Sequence, residues 1–215
     1  MTRQPQNKRK YDSFRRRIQA QETRRLILES ARSLFLEHGY TGTTIQAIAQ
    51  AAAVAPETIY AVFGSKRKIL WHLMNISIGG DEQPIRLMDR PEPQAVLHDT
   101  DSQHQIELFS KGISEILVRA APIFEVLRTA AKCDKEFADR IQIMLEERMQ
   151  NMTTFVQHLE RNGNLREGLN IPDAAELVWS LTSPEVFLLL TRDRKYSPEQ
   201  YAAWLQATLK RLLLP

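Results

Sequence analysis

Residues 44–66, TIQAIAQAAAVAPETIYAVFGSK, hold three side chains whose chemistry suits a phosphate: the Thr44 hydroxyl, the Tyr60 phenol and the Lys66 ammonium. A hydroxyl beside the free N–H groups of a helix start, a phenol and an ammonium are all donors, and donors are what a polyanion needs. The remaining concentration of reactive side chains is His98, Asp99, Asp101 and His104. It lacks the i, i+4 histidine pair of a helical metal site and lies where a loop enters a helix, so its acids read as caps. Neither a metal nor a cofactor is expected. His38, His72 and His158 stand alone, and no serine elbow, P-loop or dinucleotide glycine pattern is present, so catalysis is not expected. Cys133 is the single cysteine, which excludes an internal disulfide and suits a reducing compartment.

The elements that would position these groups follow from apolar spacing. Ile27, Ala31, Leu34 and Phe35 share one helical face, and Gly39 stops that helix. Thr43 or Thr44 caps a second helix with Ile45, Ile48, Ala49 and Ala52 inward. A break near AVAP follows, with Pro56 suited to a first helical position and Ile59 and Phe63 pointing to the core. Ser65 caps a fourth helix carrying Ile69, Leu70, Leu73 and Met74. Two short helices across a tight turn, packed on a preceding amphipathic helix, are the arrangement of a helix-turn-helix. Its first helix crosses the phosphate backbone and its second reads base edges in the major groove.

Charge distribution agrees with that arrangement. Residues 1–68 carry 13 Lys and Arg against 5 Asp and Glu, a balance of +8, whereas the remainder sums to −5. A basic first third on a mildly acidic body points to a polyanion at one end. Residues 1–17 read as a flexible basic arm, residues 18–66 as the helix-turn-helix domain and residues 67–215 as a larger helical domain. The opening MTRQPQNKRK is followed by no apolar segment and is not a secretory signal, and no apolar run approaches the ~20 residues that span a bilayer. Hydrophobic residues make up 43% of the chain, enough for a substantial core. Past a connector at 79–102 with one short helix near Pro93–His98, the pattern predicts helices over 106–118, 123–131 and 134–162, the last ended by Asn162-Gly163-Asn164. A helix over 172–192, kinked at Ser183-Pro184, precedes one started by Ser197-Pro198-Glu199-Gln200. The fold class is all-α, with about nine helices.

The stretch GYTGTTIQAIAQAAAVAPETIYAVFGSKRKIL, residues 39–70, resembles the DNA-binding domain of the TetR (tetracycline repressor) family of transcriptional regulators. Gly39, Tyr40, Thr43, Ile48, Ala49, Ala52, Val54, Thr58, Ile59, Tyr60, Phe63, Ser65, Lys66 and Leu70 carry the likeness. Two positions depart from it: the turn glycine is Ala53, and the serine cap of the recognition helix is Ala55. The resemblance implies phosphate contacts at Thr44, Tyr60 and Lys66 and base-side positions at Pro56, Glu57 and Thr58. Ala61 reaches no further than a thymine methyl, and Glu57 can accept from cytosine N4.

The resemblance further implies a cytoplasmic homodimer that binds a double-stranded DNA operator with inverted repeats and releases it when a small-molecule effector binds. The last two helices would form the dimer through Trp179, Val186, Leu189, Tyr201, Trp204 and Leu205. The effector pocket would lie among Phe109, Ile113, Phe124, Leu127, Phe137, Ile141, Met144, Met149, Met152 and Phe155, since methionines and aromatics suit an adaptable apolar cavity. The alternative is an architectural or partner-regulated DNA-binding protein with the same helix-turn-helix and no effector; an enzyme is a distant third.

Overall fold

The computed structural model describes residues 6–163 and 165–215, with side chains from Arg15 onward. Ten α-helices occur among them and no strand. The chain divides into two compact units, the first ending at Leu73 and the second beginning at Met74. The boundary lies seven residues beyond the expected 66/67 border, inside a helix.

In the first unit α1 spans Gln6–Gly42, α2 Ile45–Ala51, α3 Pro56–Phe63 and α4 starts at Lys66 and runs to Gly79. The basic segment from Gln6 to Arg17 is helical rather than a flexible arm; residues 1–5 lie outside the described residues. No glycine or proline occurs from Gln6 to His38, and Gln, Lys and Arg are good helix formers, so nothing in this run stops the helix. Gly39 does interrupt it, with φ 70° and ψ 179°. Ile27, Ala31 and Phe35 are fully buried with Ile48, Ala49, Ile59, Ile69 and Leu70, so the expected faces meet in one core, while Leu34 is half-buried. Ser65 Oγ accepts from Lys68 N, capping α4 as expected.

The second unit continues with a 3-10 turn at Leu87–Asp89, α5 at Pro91–His98, α6 at Ser102–Ala131 and α7 at Lys135–Gly163. Asn164, part of the expected stop signal, lies outside the described residues. α6 is one helix of 30 residues where two are expected. Pro122 removes one intrahelical bond, to the carbonyl of Val118, without ending the helix. Asp101 caps α6, its carboxylate accepting from Gln103 N and His104 N, and Asp99 pairs with His104.

α8 spans Ile171–Leu181, α9 Pro184–Leu188, continued by a π turn over Leu189–Asp193, and α10 Pro198–Leu213. Ser183-Pro184 therefore breaks the helix instead of kinking it: Ser183 is extended and its hydroxyl caps Val186 N. The break leaves the carbonyls at the end of α8 without helical partners. Two side chains take them. Tyr201 donates from its hydroxyl to Leu181 O at 3.0 Å, and Arg148 donates from Nη2 to Trp179 O and Thr182 Oγ1. Tyr201 and Leu205 are wholly buried in the core of the chain, so these two residues, expected at a dimer surface, are not on its surface. Burial pushes the Tyr201 phenol up, and it pushes the Arg148 guanidinium down to about 10. Replacing Tyr201 by Phe should destabilise the second unit by about 1–2 kcal/mol, because a buried carbonyl then lacks its donor. Urea titration of the two proteins measures the difference, and equal midpoints would mean that the carbonyl finds water.

Candidate nucleic-acid interface and apolar cavity

The turn between α2 and α3 is set by backbone geometry. Ala52 and Ala53 close α2, and Ala53 holds φ 53°, the left-handed region. A side chain there meets the following carbonyl, at roughly 1 kcal/mol for alanine. Ala55, the N-cap of α3, has no side-chain hydrogen bond to offer, and Pro56 follows at the first helical position. Ala53→Gly should therefore stabilise the first unit by about 1 kcal/mol, and Ala55→Ser by a similar amount. Chemical denaturation of each variant checks this; a loss for Ala53→Gly would show that the added flexibility of the unfolded chain outweighs the relieved strain.

α3 separates its faces cleanly. Ile59 and Phe63, four apart, point inward; Glu57, Tyr60 and Ala61 are exposed, Tyr60 to 52%. Pro56 and Thr58 are half-buried. Val62, 38% exposed, adds a further apolar group outside the core. Thr44 is the exposed N-cap of α2: its hydroxyl oxygen accepts from Ala47 N at 3.0 Å, and its O–H remains a donor.

Lys66 is placed differently from a free phosphate ligand. Its Nζ donates to Tyr40 O at 2.7 Å and Thr43 O at 2.6 Å, and it sits 4.2 Å from the centre of the Tyr40 ring. Thr43 is fully buried, with its hydroxyl 2.8 Å from Gly39 O and 3.0 Å from Leu34 O. Gly39, Tyr40, Thr43 and Lys66 thus form one bonded corner in which an ammonium and a hydroxyl satisfy the carbonyls where α1 gives way to α2. Desolvation lowers the Lys66 pKa. One of its three N–H groups is not used by these two bonds. Lys68, absent from the expected contacts, is exposed beside the end of α3, its Nζ about 3.6 Å from where a side chain on Gly64 would begin. The signal for it was the Lys66-Arg67-Lys68 run.

The second unit contains a cavity of about 540 Å³ between α5, α6 and α7. Of the residues named for an effector pocket, Phe109, Ile113, Met152 and Phe155 line this cavity. Phe124, Leu127, Phe137, Ile141, Met144 and Met149 do not: the first four are buried in packed interior and the two methionines are half-buried elsewhere. The rest of the wall comes from the end of α4, through Ile78 and Gly79, and from the segment after it, through Leu87, Met88 and Val96. Gly79, Leu87 and Met88 lie in a stretch whose prolines and glycines gave no helical period to read. Arg90 and Arg119 also line the cavity. Arg90 donates to both Asp81 carboxylate oxygens, at 2.8 and 3.0 Å, and holds the Asp81 carboxyl down to about 2.

Among the described residues no group of His, Cys, Asp and Glu could hold a metal ion, and no helix is long and apolar enough to cross a membrane.

Comparison with known proteins bears on both units. Residues 27–73 match the family model of the bacterial regulatory proteins of the tetR family. The HTH-type transcriptional regulator UidR of Escherichia coli (strain K12) is 24% identical over 168 residues, covering 76% of this chain and 80% of UidR. The transcriptional regulator FadR from Bacillus subtilis, solved in complex with stearoyl-CoA, superposes with a TM-score of 0.67 at 20% identity, over 86% of this chain and 96% of FadR. NalD of Pseudomonas aeruginosa, the secondary repressor of the MexAB-OprM multidrug efflux pump, gives 0.66 at 20% identity, over 91% of this chain and 98% of NalD. The match to the family model falls on the α1–α4 unit, with its turn at Ala53 and its outward α3 face, so the chain carries a DNA-binding helix-turn-helix similar to that of the tetR family, and over most of its length it shares the helical fold of transcriptional regulators.

Proposed function

We propose that the chain is a cytoplasmic, homodimeric repressor that binds a short inverted-repeat operator through α3 of each subunit and releases it when a small molecule occupies the α5–α6–α7 cavity. The outward face of α3 carries this reading. A half-exposed phenol beside an exposed carboxylate, on a short helix whose other face is fully buried, is a surface shaped for contact. In this reading Thr44, Tyr60, Lys68 and the remaining N–H of Lys66 meet phosphates, and Pro56, Glu57 and Thr58 face base edges. Glu57 accepts from cytosine N4, which makes it the residue that discriminates.

The dimer reading rests on Leu189, 54% exposed, with half-buried Trp179, Val186 and Trp204 on the last three helices. The cavity supports an effector with a largely apolar body, and the stearoyl-CoA bound to FadR and the repressor role of NalD support the same type of switch. Selection from a random duplex pool tests the proposal. An enriched inverted repeat is expected, bound by a dimer in sedimentation. Retention without enrichment, lost steeply with salt, would replace it with an architectural role. On the selected site, Tyr60→Phe should weaken binding about fivefold for every sequence, while Glu57→Ala should relax preference at one base pair.

A further inference from the structure

We propose that the effector is an amphipathic anion, an apolar body bearing one carboxylate, whose charge is received by Arg90 and Arg119 at the end of α4. The inference rests on the cavity being the effector site and names the chemistry it selects.

Charges on the cavity wall are not equivalent. Glu92, Glu115 and Lys111 lie on the lining but are exposed, where water screens them. The two charged side chains withdrawn from solvent are both arginines: Arg90 is 9% exposed and Arg119 half-buried. Their guanidinium groups flank Gly79 and Gly80. A Cβ on Gly79 would stand 2.8 Å from Arg90 Nη2, and one on Gly80 3.7 Å from Arg119 Nη2. Arg119 Nε donates to Ser77 O, so one arginine already serves the negative end of α4. Arg90 uses Nη1 and Nη2 on Asp81, whose own side chain is 44% exposed, while its buried Nε–H has no partner among the described residues. A buried guanidinium held by an exposed acid and left with an unused donor can exchange that acid for a ligand carboxylate and gain a bond.

The apolar part of the ligand has its own provision. Gly112 lies inside α6, where glycine costs about 1 kcal/mol relative to alanine. No close packing requires it, since a Cβ there would meet nothing within 4 Å. Its missing side chain leaves open space on the cavity wall.

Three ten-carbon probes test this on the full chain without DNA: decanoate, decan-1-ol and decyltrimethylammonium, each displacing the neutral fluorophore N-phenyl-1-naphthylamine. Decanoate should bind about tenfold or more tightly than decanol, and the ammonium more weakly than either. Arg90→Gln and Arg119→Gln should each remove most of that preference while leaving decanol affinity unchanged, which also shows that the variants are folded. Gly112→Leu should exclude all three probes without loss of helix content. Equal binding of decanoate and decanol, or a preference that survives both arginine substitutions, overturns the anionic class and leaves an apolar effector site. Undiminished binding to Gly112→Leu, or no binding of any probe to the native chain, overturns the site itself. Because DNA is absent, failure of operator binding would not alter these readings.

Discussion

Lys66→Ala should destabilise the DNA-binding unit by about 3 kcal/mol and abolish high-affinity operator binding at temperatures where that unit no longer folds. The ammonium donates to two backbone carbonyls, of Tyr40 and Thr43, at once. Removing a donor from a partly buried carbonyl costs about 1–3 kcal/mol, and here two carbonyls lose the same donor. The contact with the Tyr40 ring, 4.2 Å away, is lost as well. Lys66→Arg should not restore the wild type, because a planar guanidinium cannot place one nitrogen on both oxygens in the space of an ammonium. Hydrogen exchange across residues 39–52 reads the stability effect, and DNA affinity measured well below the melting point reads any direct phosphate contact. If exchange is unchanged while affinity falls for all sequences, the Nζ is chiefly a phosphate ligand and its two backbone bonds are dispensable.

That corner also shows why so much of the first unit was legible. Gly39, Tyr40, Thr43 and Lys66 carry the family likeness in the sequence, and in the structure they are bonded to one another. Local rules sufficed there: a left-handed glycine, a capping threonine at 44, a serine cap at 65 and apolar faces at helical spacing. Ala53, which stands in place of the turn glycine, holds a positive φ. What the sequence could not supply is partnership over long distances. Tyr201 and Leu205 look like interface residues because they are large and apolar on a terminal helix, yet Tyr201 reaches Leu181 O across the break at Ser183-Pro184. Pro122 lies where the two expected helices part, yet the helix runs straight through it. The cavity was half found for the same reason. Its α6 and α7 wall follows a helical period, whereas the connector wall, with Arg90 folded back onto Asp81, has no period to follow.

Phe155→Ala should cost the second unit about 4 kcal/mol, the largest loss expected from any one cavity residue. Phe155 is 1% exposed and stacks on Phe109 with ring centres 3.9 Å apart and planes within 12°. The pair belongs both to the main core and to the cavity wall. Truncation removes the buried ring and the stacking together, and the Phe109 ring then faces a void. A site that can collapse loses less, so the measured cost reports how rigid the wall is. Urea titration gives the stability, and decanol affinity of the same variant gives the space. A loss near 4 kcal/mol with tighter or unchanged decanol binding would mean that the helices hold the cavity open against the missing ring. A loss under about 1.5 kcal/mol with weakened decanol binding would mean that α6 and α7 close over the gap, and that the Phe109–Phe155 stack is the prop that keeps the cavity available to a ligand.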